Sequence, residues 1–262
     1  MDSPSKDNIL CRLHLNAVLF ALEDFVAVVP EAKQILGEEN FSITFTTCSK
    51  LKSTVKFHDG KCDFIGAMDA PNAIKIHFLS ERHLNCIFTQ SGFTLPLLRS
   101  GFFRLKQLIV FKRLSTLLSK YLQPDAKTLE EKTFRSQHLK ILLGLMLAAI
   151  KELSEYESFS RDLLKSTPDG LAFFTIQDDD ISGWIQWKDD KVNYGKGDAP
   201  YPPDVRIVFE DSSIALAAFH NKIINMAEIG LGRLRIDGDT AFAERWGWMS
   251  KRISLYLENG RS

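Results

Sequence analysis

The sequence predicts an α/β (α+β) fold that is built twice along one chain. Three observations predict it: the chain nearly repeats itself after about half its length, each repeat opens with helical sequence, and short strand-like runs follow those helices. The 262 residues, 45% hydrophobic and 25% charged, are enough for two ordinary globular domains. We therefore predict one domain over residues 1–126 and a second over residues 127–262.

The repeat is clearest in the strand-like regions. Residues 55–64 share their pattern with residues 185–194, and GAMDAP at 66–71 recurs as GKGDAP at 195–200. The offset between the copies drifts only between 129 and 135, and it changes where loops are expected. An internal duplication is the simplest explanation.

Helical sequence opens each repeat, at residues 7–36 and 127–165, where apolar residues recur every three or four positions. Pro30 is predicted to start a new helix, because proline is tolerated in a first turn. The apolar run 141–150 is ten residues long, about half of what a bilayer requires, and indicates a buried core helix. Since this run is apolar around its circumference, we expect the two halves of a monomer to pack through these helices as an intramolecular pseudo-dimer.

Strand-like sequence follows the helices. In the second repeat, short β-rich runs between residues 171 and 194 alternate with turn residues, which is typical of an antiparallel meander. The run 205–209 is predicted to be another strand, and Asp211 is a suitable cap for an apolar helical stretch at 214–227. The same order of elements is expected in the first repeat.

The second repeat ends with a predicted strand at 232–236 and a helix at 239–257. Gly238 supplies a permissive turn between them, and Asp239 is the predicted cap of the helix. The apolar residues on one face of this helix are spaced by four, three, four and four positions: Phe242, Trp246, Met249, Ile253 and Leu257.

The segment GRLRIDGD at 232–239, followed by an alanine-bearing amphipathic helix, resembles the hallmark of the sterol carrier protein type 2 (sterol-binding domain) family. The resemblance covers residues 168–258. Over residues 38–122 it rests mainly on the internal repeat, because 105–109 lacks the Gly-Asp turn. The chain thus resembles a tandem duplication of that domain with a diverged first copy.

The resemblance implies, in each copy, a mostly antiparallel five-stranded sheet covered by helices and enclosing an apolar cavity. The expected function is the binding or carriage of a fatty acid, isoprenoid or sterol-like lipid. The alternative is a non-catalytic accessory or interaction module serving a metabolic enzyme, since some family members have that role. The candidate ligand-binding residues lie on the two apolar helices of the second copy, although apolar stripes at helical spacing are also typical of ordinary core. They are Ile214, Phe219, Ile223, Met226, Phe242, Trp246 and Met249.

Charge argues against nucleic acid as a partner. The chain has 33 basic and 33 acidic residues, so no global field would draw it to nucleic acid or to an anionic membrane. The basic stretch 99–120 is interleaved with apolar residues, and we interpret it as a solvated face rather than a phosphate-binding patch. A transient contact with a membrane or an enzyme stays open.

No pattern predicts catalysis, a metal or a cofactor. The six histidines are scattered, and the sequence has no G-x-S-x-G elbow, Walker loop or G-x-G-x-x-G motif. The carboxylates at 178–180 are predicted to form a solvated turn. The four cysteines all lie in the first half without a CxxC pair, and we expect reduced thiols in a cytoplasmic protein that carries no export signal.

Overall fold

The structure, a computed structural model, describes residues 4–91, 95–220, 222 and 225–259. The chain divides into two compact units, a first unit of residues 4–125 with 257–259 and a second unit of residues 126–256. Each unit holds one five-stranded sheet together with helices. This confirms the prediction of an α+β chain with two five-stranded sheets.

The first unit begins with helices, as predicted. Pro30 occupies the first turn of its own helix, and a π-helical segment, His14–Val18, precedes α2. The helices and strands of this unit are α1 (Lys6–Leu13), α2 (Ala21–Val28), α3 (Pro30–Leu36), β1 (Phe41–Thr47), β2 (Lys52–His58), β3 (Lys61–Gly66), β4 (Ile74–Phe78), α4 (Glu81–Phe88), β5 (Leu97–Ser100) and α5 (Leu105–Leu122).

The second unit has the same order of strands, but among the described residues two α-helices instead of three precede its first strand, and two instead of one separate its fourth and fifth strands. A short 3-10 turn, Thr128–Glu130, precedes its first long helix. Its helices and strands are α6 (Lys132–Tyr156), α7 (Ser158–Lys165), β6 (Gly170–Ile176), β7 (Ile181–Lys188), β8 (Lys191–Lys196), β9 (Val205–Phe209), α8 (Ser212–Phe219), α9 (Asn225–Gly230), β10 (Leu234–Gly238) and α10 (Thr240–Asn259).

The single helix predicted over residues 214–227 is wrong. The stretch holds two helices, because α8 ends at Phe219 and α9 begins at Asn225. The backbone N–H of Lys222 donates to the carbonyl of Ala217 at 2.8 Å, so a wider turn replaces the helical hydrogen-bond pattern there. Asp211 does cap α8, as predicted, by accepting from the backbone N–H groups of Ser213 and Ile214.

The two sheets share one topology. Their strand orders are β3-β2-β1-β4-β5 and β8-β7-β6-β9-β10. The central pairs β1/β4 and β6/β9 are parallel, while the other neighbours are antiparallel. The prediction of mostly antiparallel sheets is therefore corrected to mixed sheets. The strand pattern along the chain does not specify the partner of the fourth strand in each unit. Here the fourth strand, β4 or β9, pairs with the first strand, β1 or β6.

In the first unit, helices pack on one face of the sheet. Phe45 of β1 and Phe57 of β2 point to this face, where their ring centroids lie 5.6 and 6.2 Å from that of Phe111 on α5. Ser53, on the same face of β2, donates to the side-chain oxygen of Asn16 in the π-helical segment at 2.6 Å. Both groups of helices thus cover the face that Phe45 occupies.

The second unit is covered in the same way. A Cβ atom added to Gly183 would lie 2.9 Å from Leu147 of α6, and one added to Gly170 would lie 3.4 Å from the Phe242 ring of α10. These two glycines lie on one face of the sheet, because Gly170 pairs with Trp187 four residues after Gly183.

The turn before α10 has the predicted construction. Gly238 has a φ of 115°, and a Cβ atom there would lie 2.1 Å from the carbonyl oxygen of Asp204, so only glycine fits. Asp239 accepts from the backbone N–H of Phe242 at 3.0 Å and caps the helix.

Within the described ranges, no single helix has the length and apolar character needed to cross a membrane. The segments Lys6–Val28 and Pro30–Leu36 meet that test only as a pair, with a bend of 99° between them.

Candidate functional site

Helix α10 is held against the ends of α7 by two arginines. Arg245 donates to the carbonyl of Ser166 and to the hydroxyl of Thr167, at 2.5 and 2.7 Å. Two turns further along α10, Arg252 forms an ion pair with Glu157, whose side chain caps the N-terminus of α7. Arg245 and Arg252 thereby flank the face of α10 that packs toward the interior of the second unit.

Three predicted ligand-binding residues lie on that inner face of α10. Phe242, Trp246 and Met249 are all buried, and the rings of Phe242 and Trp246 meet edge to face at 5.3 Å. The helix therefore brings these three side chains together, as the helical spacing predicts.

The other predicted residues are placed less uniformly. Ile214 is buried on α8, whereas Phe219 is half-buried and packs against Phe209 at 5.7 Å. Met226 on α9 is 76% exposed, and Ile223 lies outside the described residues. Whether these residues line a ligand site stays a prediction.

The strand beneath α10 has small residues that sequence reasoning missed. Gly170, Ala172 and Phe174 alternate along β6 and share the face that the helices cover. Ala172 is fully buried, and Phe174 is only half-buried. Two of these three residues, Gly170 and Ala172, are therefore small, and we call this face of β6 the small floor.

The corresponding floor in the first unit is large. The register of strand pairs matches Gly170, Ala172 and Phe174 to the three buried residues Phe41, Ile43 and Phe45. Aromatic rings fill the interior above them, with Phe45 lying 5.6 to 6.4 Å from the rings of Phe78, Phe88 and Phe111. The first unit therefore has a filled aromatic core.

Larger residues elsewhere offset part of this difference. Trp187 and Trp246 stand in the second unit where the repeat places Phe57 and Phe111, and the Phe242 ring lies next to Gly170. Aligning residues 41–45 with 170–174 is the signal that could have identified the small floor from the sequence.

The Trp246 side chain carries a polar atom on the inner face of α10. It is 1% exposed, and among the described residues its indole N–H is buried and donates to no acceptor. A buried indole N–H normally finds a partner, because leaving it unmade costs about 1–3 kcal/mol. The indole N–H of Trp246 is therefore an unsatisfied donor on the inner face of α10.

A separate open cleft of about 580 Å³ lies in the first unit. It is lined by carboxylates and lysines from α2, α3 and the β2–β3 hairpin: Glu23, Asp24, Ala27, Lys33, Asp59, Gly60, Lys61, Cys62 and Asp63. Beside it, hydrogen bonds to Asp63 and Asp59 raise the pKa of His58. Over the described part of the chain, no group of His, Cys, Asp and Glu side chains could hold a metal ion. The cleft therefore carries both acidic and basic side chains, but among the described residues it has no set of side chains that could hold a metal ion.

A cysteine and a histidine that are distant in sequence meet where β1 ends beside β4. The Sγ atom of Cys48 lies 3.5 Å from Nε2 of His77, and Nδ1 of His77 lies 2.9 Å from the hydroxyl of Thr46. Burial, together with the charges of Arg99 and His83, lowers the pKa of His77, so its ring is neutral near pH 7. A neutral ring can accept a hydrogen bond from the Cys48 thiol.

No protein-family model and no curated protein matches the chain. Among solved structures, the sterol carrier protein domain 2 of Helicoverpa armigera is 14% identical, with a TM-score of 0.32 over 42% of this chain and 87% of that one. Palmitated SCP2L2 from Aedes aegypti is 16% identical, with a TM-score of 0.29 over 40% and 90%. The stereoselective inverting sec-alkylsulfatase Pisa1 from Pseudomonas sp. is 13% identical, with a TM-score of 0.29 over 55% of this chain and only 28% of its own. Since all these TM-scores are low, the similarities say nothing about function.

Proposed function

We propose that the second unit binds an apolar ligand, a fatty acid, isoprenoid or sterol-like lipid, beneath α10. The observation that carries this proposal is the buried indole N–H of Trp246, which has no acceptor among the described residues. A ligand with an apolar body and one acceptor at its end, such as a carboxylate or a hydroxyl, would satisfy that donor.

The small floor of β6 supports the same proposal. Gly170 and Ala172 are smaller than Phe41 and Ile43, their counterparts in the first unit, although the Phe242 ring packs next to Gly170. The half-buried Phe174 places an accessible aromatic surface beside this floor. Binding is therefore assigned to the second unit alone.

The proposed role is carriage within the cytoplasm, without catalysis. Apolar contacts and one hydrogen bond suffice to hold and release a lipid, and neither step makes or breaks a covalent bond. The test begins with native mass spectrometry of the freshly purified chain, followed by solvent extraction of whatever it carries. We expect a near-stoichiometric lipid, and an apo mass that persists after incubation with fatty acids, isoprenoids and sterols would contradict the proposal.

Replacing Ala172 with Ile distinguishes a cavity from a filled core. Ile is the residue at the corresponding position of the first unit, Ile43. If the space under α10 holds a ligand, Ala172→Ile should abolish binding of the fluorescent fatty acid parinaric acid while changing the free energy of unfolding by less than about 1 kcal/mol. A filled core should instead lose about 1–3 kcal/mol of stability through overpacking. That second result would favour the accessory or interaction module.

Replacing Trp246 with Phe tests the hydrogen bond itself. The ring stays while the donor is lost, so affinity for parinaric acid should fall about threefold to tenfold. Trp184→Phe is the matched control, because Trp184 lies on the opposite face of the sheet, next to Gly195. Equal affinities for the two variants would remove the assigned role of the Trp246 donor.

A further inference from the structure

The first unit exposes a group of apolar side chains around the connection between β5 and α5. Phe103 is fully exposed, and its neighbours are about half exposed or more. We call this group the Phe103 surface, and it consists of Leu95, Leu97, Phe102, Phe103, Leu105 and Ile109. Contiguous exposed apolar side chains of this kind mark interaction sites.

Local geometry places the two phenylalanines at the tip of a tight turn. Gly101 has a φ of 90°, and a Cβ atom there would lie 2.9 Å from Ile74, so the turn requires glycine. The backbone N–H of Arg104 donates to the carbonyl of Gly101 at 2.8 Å and closes the turn around Phe102 and Phe103. The turn thereby holds both rings outside the core of the unit.

The first turns of α5 extend the surface. Leu105 and Ile109 are four residues apart, so they lie on one face of the helix, and both are exposed. Val110, Leu114 and Leu118 face the core and are buried. The helix therefore carries a second apolar stripe beyond the one that its own core needs.

The charges around the Phe103 surface are all positive along the chain. Residues 83–124 contain Lys and Arg but no Asp or Glu, although the whole chain has a formal net charge of zero. Glu39 neutralises Lys106 through a 2.5 Å ion pair. The remaining basic residues make no ion pair with any described residue: Arg99, Arg104, Lys112, Arg113 and Lys120.

We propose that the Phe103 surface docks the first unit onto an anionic membrane. Phe102 and Phe103 would enter the boundary between lipid headgroups and acyl chains, and the surrounding Arg and Lys side chains would contact lipid phosphates. An anionic membrane offers apolar depth and negative charge together, which matches this surface. A second copy of the chain would present the same positive charges, and face-to-face pairing would be repulsive.

The docking surface does not depend on the proposed lipid site, which lies in the other unit. Binding of the full chain is measured by flotation with vesicles of phosphatidylcholine alone and of phosphatidylcholine with phosphatidylserine. We expect binding to the phosphatidylserine vesicles, weakened when salt rises from 50 to 500 mM because screening removes the electrostatic part. Equal binding to both vesicle types, or none to either, would overturn the proposal.

Substitutions assign the binding to the Phe103 surface. The double variant Phe102→Ser, Phe103→Ser should lose vesicle binding, while Leu231→Ser, Leu255→Ser, at two exposed apolar positions of the second unit, should bind as the unchanged chain does. Neutralising Arg104, Lys112 and Arg113 to Gln should weaken binding on the order of 100-fold, at about fivefold for each charge. Equal losses for the two double variants would overturn the assignment.

Two readouts separate this proposal from its rivals. Sedimentation of the chain without vesicles reports self-association, and a dimer that Phe102→Ser, Phe103→Ser abolishes would overturn membrane docking in favour of a second copy. Parinaric acid binding without vesicles should be the same for this variant and the unchanged chain. If neither the unchanged chain nor any variant binds parinaric acid, the lipid site is rejected. The vesicle result stands in that case, because it concerns the other unit.

Discussion

Residues distant in sequence acquire new chemistry when the fold brings them together, and Cys48 is the clearest case. It is exposed, whereas Cys11 and Cys62 are buried and Cys86 is half-buried. Thr46 orients His77, and His77 contacts the Cys48 thiol. No spacing pattern in the sequence predicts this contact, because 29 positions separate Cys48 from His77.

Cys48 should be the most reactive of the four thiols. Burial raises the pKa of Cys11 to about 12, and nearby Glu81 adds to the shift, so Cys11 stays protonated and unreactive. With iodoacetamide at pH 7.5, we expect Cys48 to be alkylated before Cys86, and both well before Cys11 and Cys62. His77→Gln should change the rate of Cys48 alone, because it removes the ring that contacts the Cys48 thiol. Peptide mass spectrometry over time measures all four rates, and equal rates for Cys48 and Cys11 would contradict the assignment.

Helices α7 and α10 show how the elements position the candidate site. Glu157 accepts from the backbone N–H and the hydroxyl of Ser160, at 2.7 and 2.6 Å, and pairs with Arg252. The Arg252 guanidinium also lies over the rings of Phe159 and Tyr256, at 5.1 and 5.7 Å. This contact network holds α10 at the end opposite Phe242, so the inner face of the helix depends on a polar clamp outside it.

Replacing Glu157 with Gln should lower the free energy of unfolding by about 1–3 kcal/mol at pH 7, because the buried carboxylate loses charged hydrogen bonds. Burial alone would raise the pKa of Glu157, but hydrogen bonds from Ser160 and Arg252 outweigh it and hold the pKa below its ordinary value. Its contribution is therefore complete above the unfolded pKa and lost as the pH falls through the folded pKa.

The difference between Glu157→Gln and the unchanged chain should thus disappear in acid. Urea denaturation between pH 7 and pH 3 measures it. Glu155→Gln is the control, because Glu155 is exposed and its ion pair with Lys151 is a surface one, which predicts a change within about 0.5 kcal/mol. If the difference in the free energy of unfolding between Glu157→Gln and the unchanged chain grows toward low pH, the expected direction of this pH dependence is wrong.

At the scale of the whole molecule, the two units share one strand order in their sheets, although α1, α2 and α3 precede β1 while α6 and α7 precede β6. A tandem duplication with domains at 1–126 and 127–262 would account for this shared strand order, and it stays a prediction. The units differ in how their interiors are filled, since aromatic rings pack above β1 while small residues lie at the start of β6. The intramolecular pseudo-dimer stays a prediction.

Two domains with separate cores should respond separately to core substitutions. Leu114→Ala in α5 and Met249→Ala in α10 each remove a fully buried side chain and should each cost about 2–5 kcal/mol. Hydrogen exchange followed by mass spectrometry should then show faster exchange in β1, β2 and β4 for the first variant and in β6, β7 and β9 for the second. Glu244→Ala, at an exposed position of α10, is the control. Equal acceleration in both sheets from either core variant would argue against two domains.

The sequence by itself determined the features that depend on neighbouring residues. Apolar spacing predicted the final helix at 239–257, found as Thr240–Asn259, and the roles of Pro30, Gly238 and Asp239 followed from local backbone geometry. Helical periodicity also identified Phe242, Trp246 and Met249 as one face, because that periodicity is a local property of the chain.

Only the tertiary structure decided how these elements meet. The parallel pair β6/β9, the small Gly170 under the Phe242 ring and the Trp246 donor without a described acceptor all depend on residues far apart in sequence. The break within 214–227 likewise depended on a turn that apolar spacing does not report. Pairing and packing are long-range interactions, and one-dimensional patterns do not specify which partner a strand or a side chain will find.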